Sequence, residues 1–329
     1  MPDLSLYPFK FSPIYKNKIW GGSKINQLLG KSDAPLTLCG ESWEISGLPN
    51  DLSQVVNGFL AENTLDELLE VYMGDLVGEH VFENFGTNFP LLIKFIDAAE
   101  SLSVQVHPDE KGAAQIPNAH AKTELWYVMD ADPGAGLYVG FQEGVDKSLY
   151  LNKLQEGRVN ELLNFITVKP GDVFLIPGGT VHAIGKGVLL AEIQQSSDTT
   201  FRIFDWNRPD QNGQLRPLHT DEAIKVLNFD EQPSPKIDYR QDEQGTNALV
   251  RSHYFNINFL HYRKPTEKIF VDIDSFIIYV CVNGSATLVM DGQEKVNVQK
   301  GEVLLIPASC SEMLLIPEVA VSFLEVYLP

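Results

Sequence analysis

Residues 168–182 read Val168-Lys169-Pro170-Gly171-Asp172-Val173-Phe174-Leu175-Ile176-Pro177-Gly178-Gly179-Thr180-Val181-His182. Four consecutive apolar residues end at a proline and lie between two glycine-bearing turns. That is the length of a buried strand, because proline cannot extend a ladder and glycine readily turns the chain. The pattern returns at residues 298–312: Val298-Gln299-Lys300-Gly301-Glu302-Val303-Leu304-Leu305-Ile306-Pro307-Ala308-Ser309-Cys310-Ser311-Glu312. Each copy has a valine, a turn glycine, an acidic residue, a strand ending in Leu-Ile-Pro, and a loop. A further strand precedes each copy, at 124–128 and at 276–280. A strand–turn–strand unit present twice predicts two related β-barrels or sandwiches.

Outward from the repeat, the chain is mostly short apolar runs cut by glycine and proline. Strands are expected at 91–96, 102–106, 125–129, 172–176, 188–193, 276–282 and 303–306. Helical signals are few. Thr64-Leu65-Asp66-Glu67 reads as a capping box opening a helix with Leu65, Leu68, Leu69 and Tyr72 on one face. Val159, Leu162, Leu163 and Ile166 predict a second helix, and Ala223, Ile224 and Leu227 after Thr220 a third. The polar stretch 232–245 contains Pro233, Pro235 and Gly245 and reads as a linker. The expected organisation is a unit over 1–231 with a small helical part, the linker, and a second barrel over 246–329. The fold class is mainly β, with two jelly-roll barrels.

The 329 residues carry 25 Lys+Arg against 44 Asp+Glu, a formal charge of −19. Such a surface repels nucleic acid and anionic membranes, so neither is an expected partner. An anionic small molecule is still admissible if its pocket gathers local positive charge. The cysteines, Cys39, Cys281 and Cys310, are too sparse for a disulfide framework and offer no CxxC metal clip. They read as small core residues. The N-terminal residues show no basic stretch followed by an apolar run, and no apolar run approaches the ~18 residues of a membrane span. A cytoplasmic protein is expected.

The first copy, from Gly171 to His182, fits the cupin signature G-x5-P-x-G-x2-H. A lone histidine there is more often a core residue than a ligand, but His182 has company. Gln105 and His107 stand two apart on a predicted strand, so their side chains share a face. Glu124 opens the next strand. Gln105, His107, Glu124 and His182 together supply one amide oxygen, one carboxylate and two imidazoles. That set suits a first-row divalent metal, with Zn²⁺ favoured by the imidazoles. In the second copy, alignment replaces His182 by Glu312 and Glu124 by Phe276. The scaffold pattern survives there without the ligands, so one metal is expected, in the first barrel. His80, His120, His219, His253 and His261 lack such neighbours and read as surface or core residues.

Two cations flank the set. Lys122 lies two before Glu124 and shares its face if Thr123 points outward. A lysine beside a divalent cation is expected to have a lowered pKa. Arg202 sits between aromatic residues at the start of a strand. It is read either as the partner of Asp205 or Asp198 or as a guanidinium at the barrel mouth, ready for an oxyanion.

At this point the sequence resembles the class I (type I) mannose-6-phosphate isomerases of the short bacterial kind, essentially end to end. The marks are Trp20 in Lys18-Ile19-Trp20-Gly21-Gly22, the run Gly40-Glu41-Ser42-Trp43-Glu44-Ile45-Ser46, and Leu102-Ser103-Val104-Gln105-Val106-His107-Pro108-Asp109. Lys122-Thr123-Glu124-Leu125-Trp126-Tyr127 and the stretches 176–184 and 191–208 complete them. The resemblance implies zinc held by Gln105, His107, Glu124 and His182, with Arg202 and Lys122 as active-site residues. It implies interconversion of mannose 6-phosphate and fructose 6-phosphate through an enediolate. Lys122 is one candidate for the base, beside a histidine or a metal-bound water. The family's inserted helical domain is reduced here to one or two helices around 146–166.

Two other readings use the same ligands. Two imidazoles and a carboxylate are also the facial triad of Fe(II) oxygenases, but an amide ligand and a cationic lining weigh against it. A non-catalytic sugar-binding cupin gives no reason to place Lys122 beside a metal.

Overall fold

The computed structural model describes residues 5–210, 213–230, 233–290 and 295–329. The chain begins with β1 (Ile14–Gly22), β2 (Cys39–Ile45), the hairpin β3 (Gly47–Leu48) and β4 (Asp51–Leu52), β5 (Leu91–Ala98) and β6 (Val104–Val106). It continues through β7 (Glu124–Ala131), β8 (Gly136–Phe141), β9 (Leu163–Thr167), β10 (Val173–Ile176), β11 (His182–Ile184), β12 (Val188–Gln195), β13 (Phe201–Phe204) and β14 (Lys236–Ile237). The last part holds β15 (Gly245–Arg251), β16 (Asn256–Tyr262), β17 (Thr266–Ile269), β18 (Ile277–Val289), β19 (Val296–Gln299), β20 (Val303–Ile306) and β21 (Glu312–Tyr327). Helices α1 (Lys24–Leu28), α2 (Leu65–Val77), α3 (Glu79–Phe85), α4 (Glu110–Ala113), α5 (Lys147–Gln155) and α6 (Thr220–Val226) are short. The fold is mainly β and of cupin type.

Two antiparallel sheets face each other in the first part, ordered β1-β2-β5-β12-β7-β10-β14 and β13-β6-β11-β8-β9. The last part forms a third sheet, β15-β16-β21-β18-β19, with β17 on β21 and β20 on β18. β5, β7 and β12 are almost continuously apolar because both of their faces are covered. Alternation along β7 shows the division. Trp126 and Val128 pack between the first two sheets with Phe174, Leu137 and Leu190. Leu125, Tyr127 and Met129 point the other way, into a core shared with Phe259, Ile278, Leu305 and Leu324 of the third sheet. The rings of Tyr127 and Phe259 stack at 6.3 Å across that boundary.

The repeated segment folds alike in both places. Gly171 and Gly301 turn at φ +89° and +88°, a conformation other residues rarely adopt. β10 pairs with β7 through Phe174↔Trp126 and Ile176↔Glu124. β20 pairs with β18 through Leu304↔Tyr279 and Ile306↔Ile277. The counterpart of Glu124 is therefore Ile277, not Phe276. Strand starts do not fix register, whereas the ladder does, and a slip of one residue changes the face.

The parallel extends one strand further. Trp126 lies opposite Glu192, and Glu192 opposite Lys94. Tyr279 lies opposite Glu325, and Glu325 opposite Asn258. Trp126 Nε1 donates to Glu192 at 2.9 Å, and the Tyr279 hydroxyl donates to Glu325 at 2.9 Å. Asn258 Nδ2 also donates to Glu325, at 2.9 Å, and Lys268 Nζ stands 2.8 Å from it. Tyr279→Phe removes one charge-assisted bond from a buried carboxylate. It is expected to cost about 1.5–3 kcal/mol, read from the urea midpoint, with the specific activity of the folded protein kept.

The helix expected from Val159 to Ile166 is a 3₁₀ turn, Val159–Leu162, followed by β9. The edge of β8 accepts Phe165 and Ile166 as strand partners, opposite Tyr138 and Leu137. This tertiary pairing overrides the helical spacing. The capping box opens α2: the Thr64 backbone N–H donates to Glu67 at 2.8 Å. Residue 232, the first of the expected linker, lies outside the described residues. Within 233–245, β14 pairs with β10, and the Tyr239 hydroxyl donates to the Gly171 carbonyl at 2.7 Å. All three cysteines are buried and free.

Candidate metal centre

Glu124 opens β7 on one sheet; Gln105 in β6 and His182 in β11 project from the other. His182 and Gln105 are directly paired in the ladder, and His107 follows the end of β6. The four residues meet between the sheets. His107 Nε2 lies 3.5 Å from one Glu124 oxygen, and His182 Nε2 lies 3.4 Å from the other. One ligand atom from each of these three residues falls within 4.8 Å of the others. The amide nitrogen of Gln105 is 3.2 Å from His182 Nε2. A half-turn of the terminal torsion puts the amide oxygen there instead.

The donors are prepared for a cation. His107 Nδ1 lies 2.8 Å from the Thr199 carbonyl, and His182 Nδ1 lies 2.8 Å from the Thr180 carbonyl. A carbonyl only accepts, so both protons sit on Nδ1 and both Nε2 lone pairs face the shared point. Burial keeps the rings neutral. It pushes His107 well below the ordinary range, helped by Lys122 and His182. It lowers His182 to about 4, with Lys122 working against the Thr180 hydrogen bond. His107 Nε2 and Glu124 Oε1 are buried without a hydrogen-bond partner. Unpaired buried lone pairs on the His107 imidazole and the Glu124 carboxylate, with the His182 Nε2 turned to the same point, fit a divalent cation.

Lys122 does share the face of Glu124, with Nζ 2.7 Å from it and 3.8 Å from Glu192. Burial pulls the Lys122 pKa down, but the charges of Glu124 and Glu192 outweigh burial and raise it. Burial and Glu192 push the Glu124 carboxyl up, against Lys122.

A cavity of about 290 Å³ opens beside this point, and Gln105, Lys122 and Arg202 are in its wall. Arg202 lies opposite Gln105 in the ladder. It forms no ion pair with Asp205, which is taken by Arg208 and Arg216. Arg202 Nη1 donates to the Pro217 carbonyl at 2.9 Å, and its Nε is buried and unpaired. Sequence reasoning missed Lys18, Glu41, Lys94 and Glu192 in this wall. Lys94 stands 3.4 Å from Glu192, and Lys18 stands 3.1 Å from Glu41. The signal was a lysine inside the apolar run Leu91-Leu92-Ile93-Lys94-Phe95-Ile96. A wider cleft of about 930 Å³ shares Asp198 and Thr200 with the cavity and is lined by His120 and His219. His80 and His253 are exposed, and His261 is bonded to Ser322.

The arrangement defines the class first: a candidate metal centre inside a cupin-type β-sandwich. Residues 8–136 match the family model of the phosphomannose isomerase type I catalytic domain. Mannose-6-phosphate isomerase ManA of Bacillus subtilis is 33% identical over 317 residues, covering 93% of this chain and 94% of that relative. The mannose-6-phosphate isomerase of Streptococcus mutans is 36% identical over 293 residues, covering 88% and 89%. The crystal structure of mannose 6-phosphate isomerase from Bacillus subtilis superimposes with a TM-score of 0.85 at 30% identity, over 98% of this chain and 99% of that one. The chain belongs to the type I mannose-6-phosphate isomerase family.

Proposed function

We propose that this protein is a zinc-dependent aldose–ketose isomerase that interconverts mannose 6-phosphate and fructose 6-phosphate. The observation that carries the reading is the convergence of His107, Glu124, His182 and Gln105 beside a cavity walled by Lys122 and Arg202. The unit over 1–231 would hold the whole site, and 246–329 would be its copy without the ligands.

A divalent cation held there supplies Lewis-acid polarisation of the open-chain sugar's carbonyl and neighbouring hydroxyl oxygens. In the aldose-to-ketose direction a base removes the proton on C2. The electron pair forms the C1–C2 double bond of an enediolate, and a proton returns to C1. O2 loses its proton and O1 gains one, so the reaction is balanced without an external reagent. Lys122 is buried and held in its charged form by Glu124 and Glu192. It therefore offers positive charge and a proton to the developing oxyanion. Arg202 fixes the sugar from the opposite sheet. Glu192, bonded to Trp126 and flanked by Lys94 and Lys122, keeps both lysines in place.

The test is conversion of mannose 6-phosphate to fructose 6-phosphate before and after chelation, with metal content measured by emission spectroscopy. Metal-dependent conversion restored by Zn²⁺ is expected. Conversion that survives complete metal removal would sink the zinc reading, and no conversion by the metal-loaded protein would sink the substrate.

A further inference from the structure

The cavity wall carries five cations, Lys18, Lys94, Lys122, Arg202 and Arg216, against Glu41, Glu192 and Asp198. This is the local positive charge that a −19 protein needs to hold an anion. The charges are not evenly compensated. Lys18 has Glu41 at 3.1 Å, Lys94 has Glu192 at 3.4 Å and Lys122 has Glu124 at 2.7 Å. Asp205, by contrast, serves two guanidinium groups, of Arg208 and Arg216, and does not pair with Arg202.

Asp205 is 6% exposed and its oxygens are fully engaged. It accepts from Arg216 Nε and Nη2, both at 2.6 Å, and from Arg208 Nη2 at 2.8 Å. This two-point grip fixes the plane of the Arg216 guanidinium and leaves its Nη1 without a hydrogen bond among the described residues. Among the described residues Arg202 forms no ion pair, and its Nε is buried and unpaired. Arg216 is close enough to help burial hold the Arg202 guanidinium below its ordinary range. Two guanidiniums with spare donors thus line one cavity.

We propose that Arg216, held by Asp205, recognises the phosphate of the substrate together with Arg202, with Asp205 as its positioning residue. The inference rests on the sugar-phosphate reading above and adds where the phosphate sits. The sugar's reacting end lies towards Gln105 and Lys122, and the dianion lies at the arginine end. Planar forked donors suit a phosphate, and their own carboxylate has preset one of them.

Inorganic phosphate is the probe, titrated calorimetrically against the metal-loaded protein and against Arg216→Gln, Arg216→Lys and Lys18→Gln. Arg216→Gln is expected to weaken phosphate about 10- to 100-fold, the usual effect of losing a charge-assisted donor. It should raise KM for mannose 6-phosphate by a similar factor, with a smaller change in kcat and unchanged metal content. Arg216→Lys should recover part of the loss. Asp205→Asn should weaken phosphate less than Arg216→Gln. Equal phosphate affinity in wild type and Arg216→Gln would overturn the proposal, as would a larger loss in Lys18→Gln. Phosphate binding through Arg216 in a protein that does not isomerise would uphold this proposal and defeat the functional reading alone.

Discussion

Glu124→Gln is expected to cost the protein its metal and to lower turnover by about 10³-fold or more. Glu124 is the sole carboxylate in the converging set and is fully buried. The amide is nearly the same size, so packing is kept while the negative charge that balances a divalent cation is lost. Lewis-acid stabilisation is worth several kcal/mol, and each 1.36 kcal/mol is tenfold in rate. Metal content by emission spectroscopy, beside the isomerase rate, checks both halves. A variant that keeps one metal per chain and near-normal turnover would remove Glu124 from the centre. Folding is expected to survive, because Glu192 at 3.8 Å still faces the buried Lys122 ammonium after Glu124 is neutralised.

The second large effect is at Lys122. Lys122→Met is expected to reduce kcat by about 10²–10⁴, the range for a positioned acid or base, with metal content unchanged. The thioether fills the volume of the lysine stem but carries no proton and no charge. The loss should fall on kcat more than on KM, because the charge matters most when the oxyanion forms. Metal binding is expected to persist because the four proposed ligands are untouched. A variant with near-normal kcat would show that Lys122 serves only to neutralise its neighbours.

The convergence of the candidate ligands was legible in the sequence because they lie in motifs with fixed local geometry. The i, i+2 pair Gln105 and His107, and the turn before His182, specify faces and turns without knowledge of pairing. Lys122 and Glu124 also shared a face as expected. Lys94 and Glu192 were less legible. They belong to β5 and β12, and only the register Glu192↔Lys94 joins them. The position of Arg216 was likewise hidden, because it depends on Asp205 eleven residues earlier and on the loop between them. Glu192, the second carboxylate beside Lys122, is likewise distant in sequence and close in space. In the fold, the error at Val159–Ile166 arose where an edge strand gained partners that local periodicity does not record. The mismatch of Glu124 with Phe276 arose where only a ladder sets the phase.

The core shared by the first and third sheets has a consequence for how variation in this chain is read. Phe259, Ile278, Leu305 and Leu324 back the same strand, β7, whose first residue is Glu124. The repeat that lacks the imidazoles is therefore a chassis on which the other is mounted. A lesion in it is expected to act on the candidate site by loosening the wall behind the carboxylate or by shrinking the folded population. Variants there should sort by abundance and heat tolerance, whereas variants around Arg216 and Lys122 should sort by rate.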